Sequence, residues 1–133
     1  MKEFKSDSVL INKSASEVFA FLADFDNMGR LMPEQVVNWT SDSVSCRFTI
    51  KGLADIGLKF GEKIPNEWVQ MVTDGKVPFN FDLNTFIQSN GDSSEVHICL
   101  NANLNPMFSM MASKPLQNFV NILIYKLKEE MEA

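Results

Sequence analysis

Histidine is nearly absent from this 133-residue chain and cysteine is scarce, with one His and two Cys in all. Structural zinc sites take four N or S ligands at characteristic spacings, and His97, Cys46 and Cys99 offer neither the number nor a CxxC pair. No metal and no cofactor is therefore expected. Both cysteines fall inside predicted strands, which argues against a disulfide scaffold and for small, weakly polar strand residues. A nucleophilic Ser or Cys would need an adjacent base, yet strand alternation turns His97 to the face opposite Val96 and Ile98, beside Glu95. There is no G-x-S-x-G, no glycine-rich phosphate loop and no H-E-x-x-H, and no catalytic residue is assigned.

Positive charge is also short. Twelve Lys and Arg stand against seventeen Asp and Glu, a net charge of -5, and no basic cluster occurs. Nucleic-acid affinity rests on cations that displace counterions from phosphates, so DNA and RNA are excluded as partners. Long apolar runs are missing as well. The most apolar stretch, 119–127, contains Asn121 and Lys126, far from the roughly 18 unbroken apolar residues of a membrane span. Residues 1–5 are charged and do not read as a secretory signal, which makes a cytoplasmic location the expectation.

What is present suits one globular domain over 1–133: 45% hydrophobic and 22% charged residues, with no internal repeat. Residues 2–11 read as a strand with a polar middle. Ser14-Ala15-Ser16-Glu17 forms an S-x-x-E capping box, with the Glu17 carboxylate expected to reach back to the Ser14 amide. The helix that it opens carries Val18, Phe21, Leu22 and Phe25 on one face, and a second short helical piece ends at Pro33. Six further strands are predicted at 35–40, 44–51, 55–63, 67–73, 79–88 and 94–104, separated by turn residues such as Asp74-Gly75 and Asn90-Gly91. Alternation is clear in Val44/Cys46/Phe48/Ile50, in Phe79/Phe81/Leu83 and in Val96/Ile98/Leu100/Ala102/Leu104, the pattern of strands with one buried face. Gly57 and Gly61 within a strand predict a bulge or bend.

Asn105-Pro106 opens the last helix as cap and first helical residue. Phe108, Ala112, Leu116, Phe119, Leu123 and Leu127 recur at helical spacing, widened by Met107, Met111, Val120 and Ile124. Pro115 predicts a kink or local break. Five methionines fall in two clusters, Met28 and Met32 after the first helices and Met107, Met110 and Met111 at the start of the last. Such clusters either line an adaptable apolar pocket or fill gaps in a core. Trp39 and Trp68 read as packing residues or as parts of a cavity wall or subunit contact. The carboxylates of Asp24, Asp26, Glu34 and Asp55 read as solvated or capping.

The segment Ile11-Asn12-Lys13-Ser14-Ala15-Ser16-Glu17-Val18-Phe19-Ala20-Phe21-Leu22-Ala23-Asp24 is similar to the opening strand-to-helix signature of the START-like, or Bet v 1-like, superfamily (SRPBCC, polyketide cyclase/dehydrase). The closing Pro115-Leu116-Gln117-Asn118-Phe119-Val120 helix resembles it too. Asn105-Pro106-Met107 with Lys114-Pro115-Leu116 resembles a set of small bacterial members. The resemblance covers essentially the whole chain and implies an α+β helix-grip fold: a curved antiparallel sheet of about seven strands around a long C-terminal helix, with two short helices after the first strand. It also implies a cavity between sheet and helix, used elsewhere for sterols, lipids, polyketides, hormones or quinone precursors. No universal catalytic residue comes with it.

The resulting expectation is binding or transport of a hydrophobic, lipid-like small molecule in an internal cavity. Its lining would be Met28, Met32, Trp39, Phe48, Phe81, Leu83, Leu100, Met107, Met111 and Phe119. Two alternatives stand beside it. One is a cyclase or dehydratase-type enzyme, which requires an ionisable side chain inside the cavity. The other is a protein-interaction module or homodimer, using apolar surface near Met28, Met32 and Trp39.

Overall fold

The computed structural model describes residues 1–133 in full. Its elements run β1 (Lys2–Lys5), β2 (Val9–Ile11), α1 (Ala15–Leu22), α2 (Phe25–Met28), a 3-10 turn (Gly29–Leu31), β3 (Val36–Ser41), β4 (Ser45–Ile50), β5 (Ala54–Ile64), β6 (Trp68–Thr73), β7 (Phe81–Asn90), β8 (Ser93–Ala102) and α3 (Pro106–Glu132). The strands make one antiparallel sheet in the order β1-β8-β7-β6-β5-β4-β3, with β2 also paired to β8.

Eight strands, against seven expected, arise because the first one divides. Lys5 pairs with Cys99 and Val9 with Val96, so β1–β2 spends one more residue than β8 over the same stretch. The extra residue is a bulge. Ser6 fills it, its amide donating to the Ile98 carbonyl and its hydroxyl accepting from the Ile98 amide, both at 2.8 Å. The bulge also resets side-chain phase. Phe4 and Val9 are five residues apart, and a regular strand would send them to opposite faces, yet both are buried with Ile11.

A second bulge lies in β5, where Phe60 pairs with Met71 but Lys63 with Val69. Gly61 sits inside it, and a Cβ there would stand 2.5 Å from Gln70 Oε1. Gly57 is instead in regular register opposite Arg47, and its Cβ would meet the Asp74 carbonyl at 2.6 Å. Of the two glycines expected to mark a bulge, one does so and the other makes room for a neighbouring backbone.

Ser14 caps α1 by accepting from the Glu17 amide at 3.3 Å. The return half of the expected box differs: the Ser14 hydroxyl donates to Glu17 Oε1 at 3.1 Å, in place of the Ser14 amide. Asp24 caps α2 through the Asp26 amide.

In α3, Asn105 Oδ1 accepts from the Phe108 amide at 2.8 Å and Pro106 occupies the first turn. The helix continues unbroken through Pro115. The carbonyl that loses its amide donor belongs to Met111, an exposed residue on the side of α3 away from the sheet. Ala112, Leu116, Phe119, Val120, Leu123, Ile124 and Leu127 are buried against the concave face, at roughly 1.5–3 kcal/mol for each large side chain. The helix runs closest to β1, β2, β8 and the 3-10 turn. Val44, expected inward, is exposed in the turn before β4.

Candidate functional site

The concave face of β4 to β8 is apolar over its width. Phe48, Phe81, Leu83 and Leu100 point into it and meet Phe119 of α3 in one continuous core that also holds Met28. Met32 and Trp39 are partly buried against its edge. Trp39 stacks on Phe48 with centroids 5.5 Å apart, and its Nε1 donates to Ser41 Oγ at 3.1 Å. Ser41 in turn donates to Asp26 Oδ1 at 2.6 Å, which joins β3 to α2. Eight of the ten expected lining residues thus belong to this interior or its edge.

Met107 and Met111 do not. They are 72% and 56% exposed, and Met110 is 88% exposed. The helix rotates about 100° per residue, and at its N-terminal end the apolar residues turned inward are Phe108, against Phe79 at 5.5 Å, and Ala112. The two methionine clusters also fail to meet. Arg30, beside Met28 and Met32, lies 3.6 Å from Glu130 near the far end of α3, roughly 30 Å along the axis from Met110.

The interior is filled by its own side chains: Phe25 packs on Phe60 at 4.4 Å and Phe79 on Phe81 at 5.8 Å. No void lies between α3 and the sheet; the four hollows of the structure are all at the surface. One of them, about 390 Å³, lies between Gln35, Ile50 and Lys51 on one side and Lys114, Pro115 and Asn118 on the other. Ile50 is itself part of the core, so the floor of this hollow is an edge of the apolar interior, with a lysine on each rim.

Ionised groups are kept out of the core. The buried polar side chains are Asn84, Thr85 and Ser94, and Ser94 is satisfied by donating to the Lys13 carbonyl at 2.7 Å. Cys46 is buried on the concave side, and that burial pushes its thiol up to about 12. Cys99 lies on the opposite face of β8, and desolvation, then Glu3, raises it to about 11. Both are neutral thiols at physiological pH, poor nucleophiles and poor metal ligands.

The largest hollow, about 520 Å³, is on the outer face of the sheet over Trp68, Phe86 and His97. His97 points outward as its alternation predicts, and it stacks on Phe86 with centroids 5.2 Å apart. The grouping escapes a reading of the sequence, because the register that aligns β6, β7 and β8 is set by pairing across the sheet.

No protein-family profile and no curated protein matches this sequence. Solved structures do match over nearly its whole length. A START superfamily protein from Mycobacterium smegmatis superposes with a TM-score of 0.69 at 15% identity, covering 98% of this chain and 97% of that one. The Aha1 dimer from Colwellia psychrerythraea gives 0.67 at 14% identity, with 99% and 97% covered. The di-domain ARO/CYC BexL gives 0.74 at 15% identity; 99% of this chain is covered but only 47% of that protein, about half its length. Given these superpositions, together with its antiparallel sheet, paired short helices and long closing helix, the chain has the START-like, Bet v 1-like helix-grip fold.

Proposed function

We propose that this protein binds and carries a lipophilic, lipid-like small molecule between the concave face and α3, taken in through the mouth at Lys114 and Pro115. The observation that carries this reading is the position of that mouth. It lies where the Pro115 turn of α3 faces Gln35, Ile50 and Lys51, with the core residue Ile50 in its wall, and its volume of about 390 Å³ is within the usual range for small-molecule sites. Lys51 and Lys114 on its rims favour a ligand whose exposed end is anionic.

The interior is filled, so a bound molecule must displace side chains. Met71 is a flexible side chain within that interior, and the first turns of α3 are held by Phe108 on Phe79, by buried Ala112 and by Lys2 Nζ donating to Ser109 Oγ at 3.2 Å. Opening at Pro115 would expose the floor. An acid–base enzyme in the same place would need an ionised group, and the buried surroundings hold only the neutral Cys46 thiol.

Native mass spectrometry of protein taken gently from its own cell is the test. A retained molecule at one per chain, together with a rise in Tm on adding a long-chain fatty acid to stripped protein, is the expected result. A bare chain with no thermal response sinks the reading.

A second reading, self-association, is favoured by one observation: Met107, Met110 and Met111 form a contiguous exposed row at i, i+3 and i+4. The likeness to a protein described as a dimer is compatible with it.

A further inference from the structure

On the outer face of the sheet, Trp68 is paired with Phe86 and Phe86 with His97, so three rings from three adjacent strands fall in one cross-strand row. Trp68 and Phe86 stand nearly parallel, 5° between planes and 6.2 Å between centroids; Phe86 and His97 are 26° and 5.2 Å apart. The row is anchored by a neighbour on the same face. Trp68 Nε1 donates to Asn84 Oδ1 at 3.0 Å, which fixes the indole plane. Phe86 remains 38% exposed, although nothing in the fold requires a large aromatic ring on that face.

The hollow over this row is the largest on the molecule, about 520 Å³, and it contains Glu67 and Glu95 but no lysine or arginine. Glu95 is positioned by the Ser8 hydroxyl, which donates to its Oε1 at 3.0 Å. The two carboxylates are anionic and the exposed ring surface is apolar, so the hollow suits a cation that carries its own apolar bulk. An anion would be repelled, and an uncharged lipid would leave the carboxylates unused. A second copy of this chain, itself carrying net charge -5, would bring two more carboxylates to a two-fold contact.

We propose that the hollow over Trp68, Phe86 and His97 is a binding site for a small organic cation bearing a quaternary ammonium or a flat aromatic group. The rings supply the apolar surface, and Glu67 and Glu95 supply the counter-charge. This site is on the opposite side of the sheet from the interior and is independent of the carrier reading.

The test uses the full chain in solution, followed by the indole N–H resonances, with Trp39→Phe identifying the Trp68 signal. Benzyltrimethylammonium and choline are titrated at constant ionic strength, and 3,3-dimethyl-1-butanol serves as the uncharged counterpart of choline. Saturable shifts confined to Trp68 and the amides of Phe86, Glu95 and His97, with choline at least about tenfold tighter than its neutral counterpart, are expected. Phe86→Ala, at an exposed position that leaves the core intact, should abolish the response. The paired Glu67→Gln and Glu95→Gln changes should weaken it at least about fivefold. Equal response to choline and the alcohol, binding that survives Phe86→Ala, or no saturable shift with either cation would overturn the proposal.

Discussion

Trp68 Nε1 donates to Asn84 Oδ1 at 3.0 Å, and Asn84 is only 4% exposed although it lies on the outer face. Its own amide donates to Asp82 Oδ1 at 2.6 Å and to the Cys99 carbonyl at 3.3 Å, while Asn101 donates to Asp82 at 3.0 Å. The indole is thus the end of a satisfied polar chain laid across β7 and β8. Replacing Asn84 by Leu leaves the indole N–H without its acceptor and removes a donor from Asp82, a loss of roughly 1–3 kcal/mol. Urea denaturation should show a lower midpoint at unchanged slope, with a shift of Trp68 emission in the folded baseline. An unchanged midpoint would mean that water already satisfies these groups.

The thiols give a prediction in alkali. Cys46 and Cys99 ionise at about 12 and about 11 in the folded protein, against 9.0 for an ordinary thiol. The folded chain holds these protons more tightly than the unfolded one, so their contribution to stability is complete below pH 9 and disappears as pH rises through 11 to 12. Wild-type protein should therefore lose more stability across that interval than the double variant Cys46→Ala, Cys99→Ala. At pH 8, iodoacetamide should label neither cysteine until urea unfolds the chain, as read by intact mass.

Strand β8 and helix α3 are readable from sequence because each satisfies a single period: Val96, Ile98, Leu100 and Ala102 all point inward, and the stripe from Phe108 to Leu127 faces the sheet. The division of the first strand is hidden, since Ser6, Asp7 and Ser8 are ordinary polar residues until the Ile98 backbone is placed beside them. Met107 and Met111 share the spacing of core residues, but where the sheet ends is a tertiary fact, and at that end Phe108 and Ala112 are the apolar residues turned inward. The row of Trp68, Phe86 and His97 depends on register between three strands, information that no single strand carries.

Gly57 and Gly61 should respond differently to alanine. A Cβ at Gly57 meets the Asp74 carbonyl at 2.6 Å, a backbone atom tied down by the Asp74 amide donating to the Gly57 carbonyl at 2.8 Å. Gly57→Ala therefore forces the β5–β6 backbone apart and should cost about 2 kcal/mol or more. At Gly61 the nearest atom is Gln70 Oε1, the end of a flexible side chain, whose bond from the Glu62 amide at 3.2 Å is what would be lost. Gly61→Ala should cost about 1 kcal/mol. Thermal melts of the two variants check the order, and a reversed order would contradict the geometry.

Pro115 separates stability from uptake. Proline in a helix interior is about 3 kcal/mol less favourable than alanine, and here it deprives the Met111 carbonyl, on the exposed side of α3, of its intrahelical donor. Pro115→Ala should restore that bond and stabilise the fold by about 1–2 kcal/mol, a rise in Tm of several degrees. If the mouth opens by hinging at this residue, the same variant should take up a lipophilic fluorescent probe more slowly than wild type. A higher Tm with an unchanged uptake rate would place the entrance elsewhere.

The row of Met107, Met110 and Met111 lies outside both hollows and outside the core, which makes it a clean test of self-association. Changing all three to Gln removes apolar surface without touching a buried contact, and glutamine matches methionine in helix propensity. Stability should stay within about 0.5 kcal/mol of wild type. If copies pair through this row, sedimentation of the wild type should show a concentration-dependent dimer and the triple variant a monomer at every concentration. A wild-type monomer throughout would remove the self-association reading and leave the methionines as a flexible apolar surface beside the mouth, where Lys114 is their neighbour on the next turn.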